Sequence, residues 1–72
     1  MNETEQIEIV VNGKPSRVSA GLSITGLLRE LRLDETRVAV ELDRSIVRRP
    51  EWVATEVKSG SRLEIVQFVG GG

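Results

Sequence analysis

The sequence contains no cysteine, no histidine and no tyrosine. These absences remove thiol nucleophiles, imidazole general bases, zinc sites of the Cys/His kind and any Ser-His-Asp triad. No catalytic residue and no metal-ligand set is therefore expected in this chain. Disulfides, on which small secreted domains commonly depend, are impossible, and this points to a reducing, cytoplasmic setting. Aromatics are reduced to one Trp and one Phe, so a core must be built almost wholly from Val, Ile and Leu. An excess of one charge is also missing: Lys and Arg number 10 against 11 Asp and Glu, for a formal net charge of -1. With no long block of either sign, neither a nucleic-acid face nor an acidic tail is expected. Long apolar runs are absent, since Val38-Ala39-Val40 is as long as any, against the ~20 residues of a membrane span. Met1-Asn2-Glu3-Thr4-Glu5 is acidic where an export signal would be basic, so no membrane association or export is expected. Finally, 72 residues make one small domain, with no room for an active site between two.

What is present is strand and helix patterning. Ile7, Ile9 and Val11 alternate with Glu8 and Val10, which places the first three on one face of a strand. Asn12-Gly13 follows, a pair that tolerates the two positive φ angles of a type I′ hairpin turn. Residues 14–19 form the return strand, and Pro15 assigns it to a sheet edge because it lacks an N–H. Ser23 is a good N-cap for Ile24, Leu27, Leu28 and Leu31, whose spacing predicts an amphipathic helix over residues 24–32. Gly26 costs that helix up to ~1 kcal/mol relative to Ala and is expected to mark close packing of helix on sheet. Arg29, Glu30, Arg32 and Asp34 supply its wet face.

Residues 37–42 alternate again, with Val38, Val40 and Leu42 inward. Asp43-Arg44-Ser45 turns the chain into a short strand at residues 46–48. Arg49-Pro50-Glu51-Trp52 predicts a bend or single helical turn that folds Trp52 into the core. After a turn at Lys58-Ser59-Gly60-Ser61, residues 62–69 form a last strand with Leu63 and Ile65 inward and Glu64, Val66 and Phe68 outward. This order specifies an α+β, β-grasp plan: a mixed sheet with one main helix packed on one face, and the first and last strands parallel at its centre. Residues 1–69 constitute the domain and residues 70–72 a flexible glycine tail. Val66, Phe68 and Val69 form an apolar patch beside that tail and, with Val10 on the neighbouring strand, are the expected partner-docking residues.

Val11-Asn12-Gly13-Lys14, Leu22-Ser23-Ile24, Leu27-Leu28, Val38-Ala39-Val40, Ile46-Val47, Glu51-Trp52 and the ending Ile65-Val66-Gln67-Phe68-Val69-Gly70-Gly71-Gly72 together carry a resemblance. The chain resembles the ThiS family, the ubiquitin-like sulfur carriers of thiamine biosynthesis, from the sixth residue to the end. It departs from the family pattern at Asp43-Arg44, where an Asn-Gly turn is frequent, and at Arg48, where Pro is frequent.

The resemblance implies a cycle on the last residue. An E1-like adenylyltransferase of the ThiF type, using ATP, forms an acyl-adenylate on Gly72. Sulfur from a donor such as a cysteine desulfurase then displaces AMP to give a thiocarboxylate, 1-thioglycine, which thiazole synthase of the ThiG type consumes. Gly70 and Gly71 would thread the partner's active site. The chain would bind no cofactor of its own and would be a protein co-substrate, not an enzyme. Physical chemistry agrees: an α-carboxyl with pKa ~3.3–3.7 is ionised and a poor electrophile until activated, and glycine leaves its carbonyl unshielded. A carrier for molybdopterin or cysteine synthesis, a protein modifier joined to lysines and a non-covalent RNA-binding β-grasp module are the alternatives.

The remaining polar residues have plainer readings. Arg44, Arg48 and Arg49 are read as a solvated face, since Asp43 and Glu51 lie nearby and no stacking aromatic but Trp52 accompanies them. Glu8, Glu41 and Glu64 are read as solvent-facing strand residues, without the concave pocket that acid-base catalysis needs.

Overall fold

The computed structural model describes residues 5–69; the expected tail residues Gly70, Gly71 and Gly72 lie outside them. Strand β1 (Gln6–Val11) and strand β2 (Lys14–Ser19) pair antiparallel, with Val11 opposite Lys14. The turn between them has φ 51° at Asn12 and 82° at Gly13, as a type I′ hairpin requires. β2 is an edge strand, the position Pro15 dictates.

Helix α1 (Ile24–Glu30) begins where the Ser23 side chain accepts a 3.1 Å bond from the Gly26 N–H. It is shorter than the spacing of apolar residues predicts, because Arg32 adopts φ 62°. The Arg32 N–H donates to the Arg29 carbonyl at 3.0 Å and the Leu33 N–H to the Leu28 carbonyl at 2.9 Å. These are the two bonds of a Schellman ending, with Arg in the left-handed site that glycine usually fills. Gly26 departs from expectation too. A Cβ there would lie 3.1 Å from Leu22 Cδ2, so the crowding comes from the segment leading into the helix, not from the sheet.

A short 3-10 turn, Glu35–Arg37, then feeds strand β3 (Val38–Leu42). Asp43 and Arg44, at φ 50° and 72°, repeat the two-positive-φ turn of the first hairpin and lead into strand β4 (Ser45–Val47). A second 3-10 turn, Arg49–Ala54, buries Trp52, whose indole N–H donates to the Val47 carbonyl at 2.7 Å. Residues 55–57 return alongside the segment before the helix: the Ile24 N–H bonds the Thr55 carbonyl and the Val57 N–H the Leu22 carbonyl. Strand β5 (Arg62–Gln67) completes a five-stranded sheet in the order β2-β1-β5-β3-β4. β5 is central, parallel to β1 and antiparallel to β3, so the expected parallel pairing of first and last strands is present.

The helix side of the sheet holds the core: Ile9, Val18, Ile24, Leu27, Leu28, Val38, Val40, Trp52, Val57, Leu63 and Ile65 are all buried. Apart from Trp52 these are aliphatic, and truncating a fully buried Leu such as Leu27 to Ala costs about 2–5 kcal/mol. The opposite face of β3 and β5, carrying Ala39, Glu41, Glu64 and Val66, is exposed.

Candidate functional site

The candidate site is this exposed face, where the chain leaves the sheet toward residues 70–72. Strand alternation sends Leu63 and Ile65 into the core, so Glu64 and Val66 point the other way. The β3–β5 register sets Ala39 opposite Val66 and Glu41 opposite Glu64, and the β3–β4 register sets Ile46 opposite Glu41. Together they line a shallow concavity of about 130 Å³ formed by Ala39, Val40, Glu41, Ile46, Glu64 and Val66. Of the large hydrophobics, Ile46 is 74% exposed, Val53 72%, Val66 58%, Phe68 55% and Val69 91%; Ile46 and Val66 line the concavity, and Phe68 and Val69 follow the strand that carries Val66.

Two contacts fix the strand that leads out. β1 turns away after Val11, yet the Asn12 side chain continues its ladder: Nδ2 donates to the Ile65 carbonyl at 3.1 Å, and the Ile65 N–H donates to Oδ1 at 2.7 Å. On the other side, the Phe68 N–H donates to the Arg37 carbonyl at 2.8 Å. Phe68 is thus still gripped by the body, although β5 ends at Gln67, two residues short of the predicted boundary.

The four expected docking residues are not brought together. Val66 and Phe68 share the outward face of the last strand, and Val69 follows directly. Val10 is half-buried opposite Arg62 on one side and Pro15 on the other. Arg62 and Val66 are four strand positions apart, about 13 Å at the usual rise. Val10 instead borders a separate open groove with Glu8, Pro15, Ser59 and Gly60. The neighbours of Val66 that the residue pattern did not supply are Ala39 and Ile46. A signal for Ile46 existed: a two-residue turn at Asp43-Arg44 fixes the hairpin register and puts Ile46 across from Glu41.

Among the described residues no charged side chain is buried. The Arg49 guanidinium lies 5.7 Å from the Trp52 ring centroid, a cation–π distance. Asp34 caps the first 3-10 turn, and bonds from the Thr36 hydroxyl and N–H, helped by the charges of Arg37 and Arg49, hold its carboxyl below the usual aspartate value. Among the described residues, no group of three or more acidic, His or Cys side chains is placed to hold a metal ion. No described helix is long and apolar enough to cross a membrane.

The model of the ThiS family matches residues 4–72. A protein named thiazole synthase from Paramagnetospirillum magneticum is 39% identical over 66 residues, covering 92% of this chain and 20% of that protein. The chain thus spans about a fifth of the length of that relative and of a second thiazole synthase, from Magnetococcus marinus. The ycf40 protein of Porphyra purpurea is 31% identical over 68 residues, covering 94% of this chain and 96% of that one. Among solved structures, the crystal structure of the thiamine biosynthesis protein ThiS from Geobacter metallireducens superposes with a TM-score of 0.79 at 39% identity, covering 92% of this chain and all of that one.

Proposed function

The chain belongs to the ThiS family, and from that premise we propose that it is a cytoplasmic sulfur carrier of thiamine biosynthesis, a co-substrate whose reactive group is the Gly72 carboxylate. A carboxylate oxygen attacks the α-phosphorus of ATP on an E1-like adenylating partner, pyrophosphate leaves, and an acyl-adenylate forms. The terminal sulfur of a persulfide on a desulfurase-type donor then attacks the carbonyl carbon; the C–S bond forms, the C–O bond to AMP breaks, and an acyl disulfide results. A second thiolate attacks the donor-side sulfur, forms a disulfide with it and releases the thiocarboxylate for thiazole synthase. The chain contributes presentation. Three glycines reach at most about 10 Å and place no Cβ in a narrow cleft, so the reacting carbon can enter an active site that the body cannot.

The observation that carries this reading is the exposed apolar face of Val66, Phe68, Ala39 and Ile46 at the root of that arm. Glycines lose more conformational freedom than other residues on being ordered, so affinity must come from a docking surface on the folded body. The thiazole synthase names of two relatives favour the thiazole branch over molybdopterin or cysteine synthesis.

The test is incubation with ATP, the adenylating enzyme of the same organism and a sulfur donor, read by intact mass. The intact chain gains the mass difference of sulfur for oxygen. A chain lacking Gly72 stays unchanged; sulfur uptake by that truncated chain would refute the terminal-carboxylate reading.

A further inference from the structure

Next to the apolar pair Ala39–Val66, the exposed face carries an arrangement that works against the stability of the free protein. Glu41 stands directly opposite Glu64 across the β3–β5 ladder, with Ile46 on its other side. Like charges in directly opposed strand positions destabilise a sheet. Among the described residues the ion pairs are Arg29–Glu35 and Arg37–Asp34, and neither includes Glu41 or Glu64. Both carboxylates border the concavity whose apolar walls are Ile46 and Val66.

We propose that Glu41 and Glu64 jointly receive one arginine of the adenylating partner, while an adjacent apolar side chain of that partner seats between Ile46 and Val66. This rests on the docking reading given above and adds its charge complement. Opposed Cβ atoms about 4.5–5.5 Å apart bring two carboxylates within reach of a single guanidinium, whose planar fork offers donors to both. Binding then gains twice, because the incoming cation forms two charge-assisted bonds and relieves a repulsion already present. The same charges argue against other occupants. A nucleic-acid backbone would be repelled, and a second copy of this face would bring four carboxylates into one interface.

The experiment measures adenylation-dependent pyrophosphate release with the adenylating enzyme of the same organism, for the wild-type chain and for Glu41→Gln, Glu64→Gln, the double variant and Val66→Asp, each at low and high salt. Each Gln variant is expected to raise the KM for the carrier about tenfold, an effect that falls on KM more than on kcat and is smaller at high salt. The double variant is expected to lose less than the product of the single effects, because one cation serves both carboxylates. Its melting temperature, measured on the free chain, should rise. A double variant with wild-type KM and an unaltered salt dependence overturns the proposal. If Val66→Asp still raises KM in that case, the docking face survives and only the arginine pairing falls; if Val66→Asp has no effect, both fall. A self-associated chain in sedimentation, dissociated by Val66→Asp, would identify a second copy as the occupant and also overturn the proposal.

Discussion

Asn12 performs two tasks with one side chain. It accepts the positive φ of the hairpin turn, and it offers β5 the donor and acceptor that β1 no longer supplies after Val11. Replacement by Gly keeps the turn and removes both bonds, so Asn12→Gly is expected to lower stability by about 1–3 kcal/mol in urea unfolding. Asn12→Ala should cost about 1 kcal/mol more, from the left-handed backbone. Equal midpoints for the Gly variant and wild type would show that the Ile65 bonds contribute nothing. The Asn-Gly turn was legible in the sequence; the clamp was not, because a bond spanning 53 positions leaves no local pattern.

At the scale of elements, what could be read followed periodicity, and what could not followed backbone angles. The strand alternation, the edge placement of Pro15 and the buried Trp52 required only side-chain patterning. The end of α1 required knowing that Arg32 would take φ 62°, which its residue type does not announce. Val57 went unread for a related reason: one apolar residue between Glu56 and Lys58 has no period, and it is buried only because residues 55–57 bond back to the segment before the helix. The Asp43-Arg44 turn shows the same tension. Its second residue stands at φ 72° without being Gly, while the Asp43 carboxylate accepts from the Arg62 N–H at 2.9 Å and so ties the turn to the central strand. Arg44→Gly is therefore expected to stabilise the chain by about 0.5–1 kcal/mol, as relief of the left-handed strain outweighs the added freedom of the unfolded chain. A lowered melting temperature would contradict this.

On the scale of the whole molecule, the two faces of one sheet divide the labour. A chain of this length has a net stability of about 4–11 kcal/mol. Leu27→Ala, at about 2–5 kcal/mol, should therefore populate the unfolded state measurably in thermal melts. Phe68→Ala, more than half exposed on the other face, should leave the melt within about 0.5 kcal/mol of wild type while raising the KM for adenylation. An unchanged KM would remove Phe68 from the docking surface. Half of that surface was legible as outward residues on the last strand, and the Asp43-Arg44 turn signalled Ile46 across from Glu41; the meeting of Ala39 with Val66 was not legible, since only the register of β3 against β5 sets it.

The central position of β5 also governs when this molecule can come into being. The sheet order inserts Arg62–Gln67 between β1 and β3, so the two hairpins formed earlier in the chain have no shared sheet until that segment arrives. During synthesis, β1 and β2 emerge with an open inner edge, as do β3 and β4, and neither pair holds a core of its own. The fold closes only once the strand leading to the glycines has left the ribosome. A chain cut short before β5 is thus an unfolded target for proteases rather than a folded decoy competing for the adenylating enzyme, and every folded copy carries the root of its arm.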